Sequence, residues 1–188
     1  MISEQFQTVG RDLFARGLVS SNSGNLSIRL GDQIIITRRG GMLNCINEND
    51  LIETGVSKNN RATPLASTDL AIHRAIYRET QALAIVHAHP PHAVALSMTD
   101  KEIVLGGEEF SMIGTVPVVG WSEELEKECL ADIVARALKE YHIIMVHNHG
   151  SFAIGQLLEE AYNLTTALEH SSQVLCLTRS LQVSPLKE

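Results

Sequence analysis

Apolar residues recur along the chain at two spacings, and these spacings predict its secondary structure. Phe6, Val9, Leu13 and Phe14 lie three or four residues apart or adjacent, which predicts a helix over residues 4–16 that ends at Gly17. Short runs of branched apolar side chains between turn residues predict strands. The further predicted helices are 68–79, 91–98, 122–140 and 157–177, and the predicted strands are 25–29, 33–37, 83–88, 116–119, 143–146 and 151–154.

The order of these elements indicates one α/β domain that spans residues 1–188. Strands that are close in sequence are joined by short turns, as at Gly31-Asp32, and helices fall between groups of strands. A doubly wound sheet would instead alternate strands and helices throughout. The pattern therefore predicts a single layered domain with a mixed, mostly antiparallel sheet that is covered by helices.

Composition and charge exclude several classes of function. The chain is 44% hydrophobic and 20% charged, as soluble globular proteins are, and its net charge of −7 argues against a nucleic-acid binder, which needs a basic surface. Neither a signal peptide nor a membrane-spanning run is present, so we expect a cytoplasmic protein without a membrane partner. Cys45, Cys129 and Cys176 lack C-x-x-C spacing and are expected to be buried or inert thiols.

Two histidine clusters follow predicted buried strands. His87 and His89 are two residues apart, so their side chains face the same side of an extended chain and can bind one ion. His147 and His149 follow the strand 143–146 and can supply a third imidazole. A lone buried histidine is more often a hydrogen-bonded core residue, but two clusters at strand ends favour a metal. Three protein ligands with an open fourth position are typical of a catalytic zinc site.

Three polar segments have the character of an anion site. Residues 20–25 combine hydroxyls with a glycine, and residues 37–41 combine two arginines with two glycines. Ser67 is expected to cap the helix that follows it, with Asp69 in the first turn, and a helix start can also bind phosphate. Residues 20–25 alone could equally be a polar turn. Together the three segments favour a phosphorylated small-molecule substrate.

The order of these motifs resembles the class II aldolase/adducin family, especially its L-fuculose-1-phosphate aldolase branch, over nearly the whole chain. The family pattern is S-G-N-x-S, I-T-x-x-G, S-S-E before a helix with a histidine, H-x-H, and N-H-G. The corresponding segments here are Ser23-Gly24-Asn25-Leu26-Ser27, Ile36-Thr37-Arg38-Arg39-Gly40, Ser67-Thr68-Asp69 with His73, His87-Ala88-His89, and Asn148-His149-Gly150.

The resemblance implies roles for residues in each motif. His87, His89 and His149 would be ligands of one Zn²⁺, and His147 and His92 would lie outside this ligand set. Asp69 would be the catalytic acid–base group and could take the remaining metal position in the resting enzyme. The implied substrate-binding residues are Gly24, Asn25, Arg39, Gly40, Ser67 and Thr68.

The implied function is that of a zinc-dependent lyase. It would cleave a ketose 1-phosphate, similar to L-fuculose 1-phosphate, into dihydroxyacetone phosphate and an aldehyde through a metal-stabilised enediolate. The implied assembly is a homotetramer, with apolar surface expected near residues 110–119.

The sequence departs from the aldolase pattern in three places, which keeps alternatives open. Asp69 stands where the aldolases have glutamate, and the L-ribulose-5-phosphate 4-epimerase branch also has Asp there. Arg38-Arg39 adds charge to the phosphate loop, and residues 108–112 contain no tyrosine to act as an acid. A sugar-phosphate epimerase or a decarboxylase is therefore the alternative. A non-catalytic adducin-like scaffold is disfavoured because all three histidines are present.

Overall fold

The computed structural model describes residues 2–104 and 114–182 as a central sheet with helices on both faces. The strands are β1 (Asn25–Leu30), β2 (Gln33–Thr37), β3 (Leu51–Gly55), β4 (Ala84–Ala88), β5 (Glu102–Val104), β6 (Thr115–Val119), β7 (Ile143–Val146) and β8 (Gly150–Gly155). The helices are α1 (Ile2–Ala15), α2 (Leu70–Glu79), α3 (Pro91–Ser97), α4 (Ser122–Leu125), α5 (Leu130–Ala137) and α6 (Leu158–Gln182).

The eight strands form one mixed sheet in the order β3-β2-β1-β4-β8-β7-β6-β5. Among the described strands only β6 and β7 pair in parallel, so the predicted mixed, mostly antiparallel sheet is confirmed. The register places Asn25 of β1 and Phe152 of β8 on either side of His87. These pairings bring chemically active residues from distant parts of the sequence to one end of the sheet.

Two hydrophobic clusters hold the helices against the sheet. On one face, Leu26 and Val86 pack with residues of α1, α3 and α6. On the other face, Ile85 and Phe152 pack with residues of α2 and α5. Successive residues of β4 alternate between the two clusters, as expected for a strand that is buried on both sides. His87 is two residues after Ile85 and therefore lies on the α2 and α5 face.

Several predicted boundaries are wrong, each for a local reason. The predicted helix 122–140 is two helices, because the polar residues 126–129 between α4 and α5 carry no apolar side chain to anchor a helical turn. The edge strands β3 and β5 were not predicted, because both are short and each contains a glutamate, Glu53 in β3 and Glu102 in β5, that interrupts the apolar pattern. Helix α1 ends at Ala15, one residue before the predicted end, and Gly17 terminates it as predicted: Gly17 has φ +70°, and the Leu18 amide donates to the Leu13 carbonyl across it.

The three cysteines are free thiols, but they are more exposed than expected. Cys45 and Cys129 are exposed and Cys176 is half-buried, so the first alternative, buried thiols, is wrong for Cys45 and Cys129. The other alternative, inert thiols, stays a prediction. Cys45 ends a short helical turn, Cys129 directly precedes α5, and Cys176 lies within α6. Cys45 and Cys129 lie in no apolar run that could bury them. Within the described ranges, no helix is both long and apolar enough to cross a membrane.

Candidate active site

Three histidines converge where β4 ends and β8 begins. The Nε2 atom of His87 lies 3.0 Å from Nε2 of His89 and 3.3 Å from Nε2 of His149. The ligand atoms of the three rings all lie within 4.8 Å of one another. Three imidazole nitrogens this close suit a shared cation, which each nitrogen could approach at roughly 2 Å.

The surroundings of His87 leave its Nε2 atom free to bind a cation. Its Nδ1 atom lies 2.9 Å from the Ser151 carbonyl, which can only accept, so the proton sits on Nδ1 and the lone pair on Nε2. The ring stacks on Phe152 with 4.1 Å between centroids. Burial and the neighbouring His89 lower the pKa of His87 well below its ordinary value, and burial also lowers that of His89. Neutral imidazoles are the form that binds a metal, so the donor set fits a divalent ion.

The turn between β7 and β8 brings His149, and not His147, to the group. Asn148 has φ +52°, a left-handed conformation that asparagine tolerates, and its amide donates to Ser97 Oγ at 3.1 Å. This conformation breaks the alternation of the strand and turns His149 towards His87. The ring of His147 instead stacks on Trp121, with centroids 4.0 Å apart.

Gly150 gives the histidines the space that they occupy. A Cβ atom at this position would lie 2.4 Å from the Ala88 carbonyl oxygen, 2.9 Å from a ring carbon of His89 and 3.2 Å from one of His87. The first contact is with backbone, which cannot rotate away. Only glycine therefore allows β8 to pass this close to the residues that carry the imidazoles.

Asp69 joins the histidines from the start of α2. Its Oδ2 atom accepts a hydrogen bond from Asn25 Nδ2 at 2.7 Å and lies 3.7 Å from His87 Nε2. The helix begins at Leu70, so Asp69 occupies the cap position without capping through its side chain, and Ser67 Oγ instead accepts the Asp69 amide at 3.3 Å. The predicted helix start at residue 68 was therefore two residues too early, and Asp69 precedes the helix instead of lying in its first turn. Ser67 does accept an amide near the helix start, as a capping side chain does. The contact with Asn25 turns the carboxylate towards the histidines.

The predicted anion-binding segments lie side by side next to this group. Arg38 pairs with Ala66, the Arg39 amide donates to the Leu65 carbonyl at 2.9 Å, and the Ser67 amide donates to the Thr37 carbonyl at 3.1 Å. Since these two amides are already bonded, an anion would be held by the Ser67 hydroxyl, Thr68 and the Arg39 side chain. A cavity of about 390 Å³ is lined by Arg39, Ser67 and Thr68 among others.

Two glycines shape the backbone around the same segments. Gly24 has φ +74°, and a Cβ there would lie 2.6 Å from a methyl group of Val19 and 2.8 Å from the His87 carbonyl. Gly40 has φ +68° in the loop that follows β2. Asn25, directly after Gly24, is 5% exposed and contributes its amide to Asp69. Of the six predicted substrate-binding residues, Asn25 contacts Asp69 directly and Arg39 contacts the segment before α2 through its backbone, while Gly24 and Gly40 are their neighbours in sequence.

A buried hydrogen-bonded chain behind Asp69 was missed from the sequence. Ser27 Oγ lies 2.6 Å from His73 Nδ1 and 2.7 Å from the Tyr77 hydroxyl, and all three residues are buried. Burial, and then the nearby His87, lower the pKa of His73 to about 3, so this imidazole is neutral. His73 lies four residues after Asp69 and therefore on the same face of α2, and this spacing was the sequence signal that could have identified the chain.

His92 has a structural role that the sequence left open. Its Nδ1 atom lies 2.6 Å from Glu169 Oε1, and the His92 amide donates to Glu169 Oε2 at 3.0 Å. The Ala93 amide also donates to this carboxylate, at 3.2 Å. Glu169 of α6 therefore binds the first turn of α3, directly after the segment that carries His89.

A family model and several known proteins match the chain. The Class II Aldolase and Adducin N-terminal domain matches residues 4–176. The crystal structure of L-fuculose-1-phosphate aldolase from Thermus thermophilus is 35% identical with a TM-score of 0.88, covering 98% of this chain and 97% of that one. An L-fuculose phosphate aldolase from Methanococcus maripaludis (strain C7) is 31% identical over 90% of this chain and 93% of that protein.

A longer relative shares the same domain. A probable bifunctional methylthioribose-1-phosphate isomerase/methylthioribulose-1-phosphate dehydratase from Nocardia farcinica is 29% identical, over 85% of this chain but 32% of that protein. The chain thus spans about a third of that relative and nearly all of the two aldolases. With its sheet, its histidine group and a family match over most of its length, the chain belongs to the class II aldolase and adducin family and groups with the family's lyases.

Proposed function

We propose that this protein is a divalent-metal-dependent aldolase that cleaves a ketose 1-phosphate into dihydroxyacetone phosphate and an aldehyde. The observation that carries this proposal is the position of the Asp69 carboxylate, 3.7 Å from His87 Nε2 and hydrogen-bonded to Asn25. A carboxylate beside three converging imidazoles combines a proton-transfer group with a metal-binding group. The two aldolases that match most of the chain support the same reaction.

His87, His89 and His149 would hold the ion, which we take to be Zn²⁺, with Asp69 beside it. Imidazole nitrogens suit zinc and other first-row divalent ions. When bound, the ion supplies Lewis-acid stabilisation of the negative charge that develops on substrate oxygens as the carbon–carbon bond breaks. The buried His87 is fixed by the Ser151 carbonyl and by Phe152, which keeps the donor atoms in place without substrate.

Asp69 would carry the proton at C3 of the ketone fragment. In cleavage, the C4 hydroxyl gives its proton to solvent and its oxygen becomes the aldehyde carbonyl as the bond between C3 and C4 breaks. The electron pair of that bond passes to the ketone fragment, whose C3 then takes a proton from Asp69 Oδ2, and solvent reprotonates the carboxylate. In condensation Asp69 removes the proton from C3. Such help is typically worth about 10²–10⁴ in rate. Asn25 holds the carboxylate through one hydrogen bond, and Oδ2 is also the oxygen nearest His87. Residues 108–112, where relatives place a tyrosine acid, contain none and lie outside the described residues.

Ser67, Thr68 and Arg39 would bind the phosphate, with Gly24, Asn25 and Gly40 shaping the pocket. The bridge between Arg38 and Ala66 brings the arginine loop beside the segment before α2. A guanidinium and two hydroxyls provide charge-assisted hydrogen bonds to a dianion.

The decisive experiment is a product assay on the metal-loaded protein. L-Fuculose 1-phosphate and other ketose 1-phosphates are each incubated with it, and dihydroxyacetone phosphate is measured with a coupled dehydrogenase. We expect this product from at least one ketose 1-phosphate and none with Asp69→Asn. If the protein instead converted L-ribulose 5-phosphate to its epimer without release of a triose phosphate, the second candidate function, a sugar-phosphate epimerase, would replace the aldolase. The shorter carboxylate of Asp69 is the observation that favours that epimerase.

We also propose that the protein assembles as a homotetramer. Val116 and Val118 of β6 are buried within the chain, so the apolar surface expected in this region is not on their side chains. Residues 110–113 of the same expected surface lie outside the described residues. Light scattering tests the assembly directly, and a monomeric mass would refute it.

A further inference from the structure

A basic cleft lies at the opposite end of the sheet from the histidines. It has a volume of about 670 Å³, within the range of small-molecule sites. The turn after β1, the loop after β3 and the end of α2 form its walls. Arg78 is nine residues along the helix from Asp69, roughly 13 Å at 1.5 Å per residue. The cleft is therefore separate from the proposed active site.

Three cations line this cleft against one carboxylate. Arg29, Lys58 and Arg78 contribute positive charge and Asp32 negative charge, in a chain whose net charge is −7. None of the three cations takes part in an ion pair between the described residues. Unneutralised cations that share one concave surface raise the local concentration of small anions.

Hydrogen bonds to backbone carbonyls hold the side chain of one of these cations and the loop that carries another. Arg29 donates from Nε to the Gly31 carbonyl at 2.8 Å and from Nη1 to the Tyr77 carbonyl at 2.7 Å. These bonds hold the half-buried guanidinium in the wall, and its Nη2 atom has no acceptor among the described residues. Arg74 donates to the Gly55 and Lys58 carbonyls at 2.9 and 3.1 Å, which folds the loop that carries Lys58. The cleft is thus held in shape without a ligand.

The remaining lining suits a polar ligand and not an apolar one. Gln33, Ser57 and Gln81 offer amide and hydroxyl groups around the cations. Arginine and lysine bind phosphoryl oxygens through charge-assisted hydrogen bonds, and the hydroxyl and amide groups can bind hydroxyls of an attached polyol. Burial is the larger cause of the lowered pKa of Arg74, and the nearby Arg78 lowers it further. The effect of Arg78 indicates crowded positive charge at this end of α2.

We propose that this cleft is a second anion site, which binds the phosphoryl group of a small phosphorylated polyol or of inorganic phosphate. The phosphoryl group would lie between Arg29, Lys58 and Arg78. The site does not depend on the proposed aldolase activity, because it shares no lining residue with the segments around Asp69.

Calorimetry with metal-loaded protein tests this site, with inorganic phosphate and glycerol 1-phosphate as separate probes. The matched double variants are Lys58→Gln with Arg78→Gln, which removes two charges from the cleft, and Arg11→Gln with Lys127→Gln, which removes two exposed charges elsewhere. Gln33→Glu adds a charge to the cleft without removing any cation. Ser67→Asp blocks the proposed active-site phosphate position and leaves the cleft intact.

We expect wild-type protein to have a class of phosphate-binding sites whose affinity falls at least tenfold in the Lys58/Arg78 double variant and in Gln33→Glu. Ser67→Asp should retain this class of sites. The Arg11/Lys127 variant should bind as wild type does. Tighter binding of glycerol 1-phosphate than of phosphate identifies the polyol as ligand, and equal binding identifies phosphate alone. Loss of all binding in Ser67→Asp, equal weakening in both double variants, or no binding by wild type would each overturn the proposal.

Discussion

Asn25 Nδ2 donates a hydrogen bond of 2.7 Å to Asp69 Oδ2, across 44 residues of sequence. This contact decides the direction of the carboxylate. A carboxylate at a helix cap usually accepts amides of its own helix, but the Asp69 side chain makes no such bond. It is held instead beside the Nε2 atom of His87. The strand β1 therefore orients a group that α2 carries.

Replacement of any one of His87, His89 and His149 by alanine should abolish metal retention. Two imidazoles hold a divalent ion far more weakly than three, so we expect the metal content to fall from about one ion per chain to a small fraction of that. Metal analysis after gel filtration measures this. His147→Ala is the control, because that ring stacks on Trp121 and points away from the group. Loss of metal in the control, with retention in His149→Ala, would show that the other member of the pair is the ligand.

Gly150→Ala should weaken metal binding without removing any ligand. The added methyl group would lie 2.4 Å from the Ala88 carbonyl and 2.9 Å from the His89 ring. We expect displaced imidazoles, an affinity for zinc about 10–100-fold lower, and a loss of about 1–3 kcal/mol in the free energy of unfolding. Competition with a fluorescent chelator and urea unfolding measure the two effects.

Gly31→Ala is the matched control for this change. Gly31 has φ +62° but open space around its Cβ position, so alanine should cost only about 1–2 kcal/mol of backbone strain. Its affinity for zinc should be that of wild type. If Gly150→Ala and Gly31→Ala lost the same affinity for zinc, general destabilisation of the protein would explain the effect of Gly150→Ala.

The pair His87 and His89 could be predicted from sequence because it depends only on the two-residue period of a strand. The choice between His147 and His149 could not, since it depends on the left-handed conformation of Asn148. Only the resemblance to a known family selected His149. The start of α2 was predicted two residues too early. The direction of the Asp69 side chain could not be predicted from local capping rules, because it depends on the tertiary contact with Asn25. The central sheet was predictable from hydrophobic runs, whereas its short edge strands were not.

His73 should make the stability of the metal-free protein depend on pH below neutrality. Its pKa is about 3 in the folded protein, against 6.5 ordinarily, so the unfolded chain binds one more proton between these values. The contribution of neutral His73 is then complete above pH 6.5 and is lost as the pH falls towards 3. One such group gives a slope of about 1.4 kcal/mol per pH unit.

Urea unfolding in the presence of a chelator, from pH 7 to pH 4, measures this slope. The His73→Gln variant lacks this titrating group, so the dependence of its unfolding free energy on pH should be less steep by about one proton. The variant should also be less stable at pH 7, because it disturbs the hydrogen bond between Ser27 and His73. His142→Gln, a change at an exposed histidine, should leave the slope as it is. An unchanged slope in His73→Gln would assign the pH dependence to other groups.

Ser67→Asp should raise KM for a phosphorylated substrate far more than it lowers kcat. Ser67 is 7% exposed and lies beside the arginine loop, so a carboxylate there would repel the phosphate at close range. We expect KM to rise at least about tenfold, equivalent to about 1.4 kcal/mol of binding. Thr178→Asp, on the exposed part of α6, controls for added charge. Equal turnover of phosphorylated and unphosphorylated sugars by wild type would contradict a phosphate site at Ser67.

Asp69→Asn separates a catalytic carboxylate from a structural one. Because the side chain does not cap α2, its neutral analogue should change the free energy of unfolding by less than about 1 kcal/mol, whereas loss of the proton-transfer group should reduce turnover by about 10²-fold or more. Thermal unfolding and steady-state kinetics measure the two effects on one preparation. A loss of stability with an unchanged kcat would assign Asp69 to the helix alone.

Hydrogen exchange at C3 of dihydroxyacetone phosphate gives the same test without an aldehyde. In the proposed mechanism Asp69 removes this hydrogen in the condensation direction, so wild-type protein should exchange it with deuterium oxide and Asp69→Asn should not. Asp69→Glu adds one methylene group to the side chain, and one additional C–C bond moves the carboxylate by more than about 1 Å. If the Asn25 contact defines the carboxylate position, the longer side chain loses that bond and exchange slows. Faster exchange in Asp69→Glu would show that the site accommodates the longer carboxylate of the related aldolases, and undiminished exchange in Asp69→Asn would remove Asp69 from the mechanism.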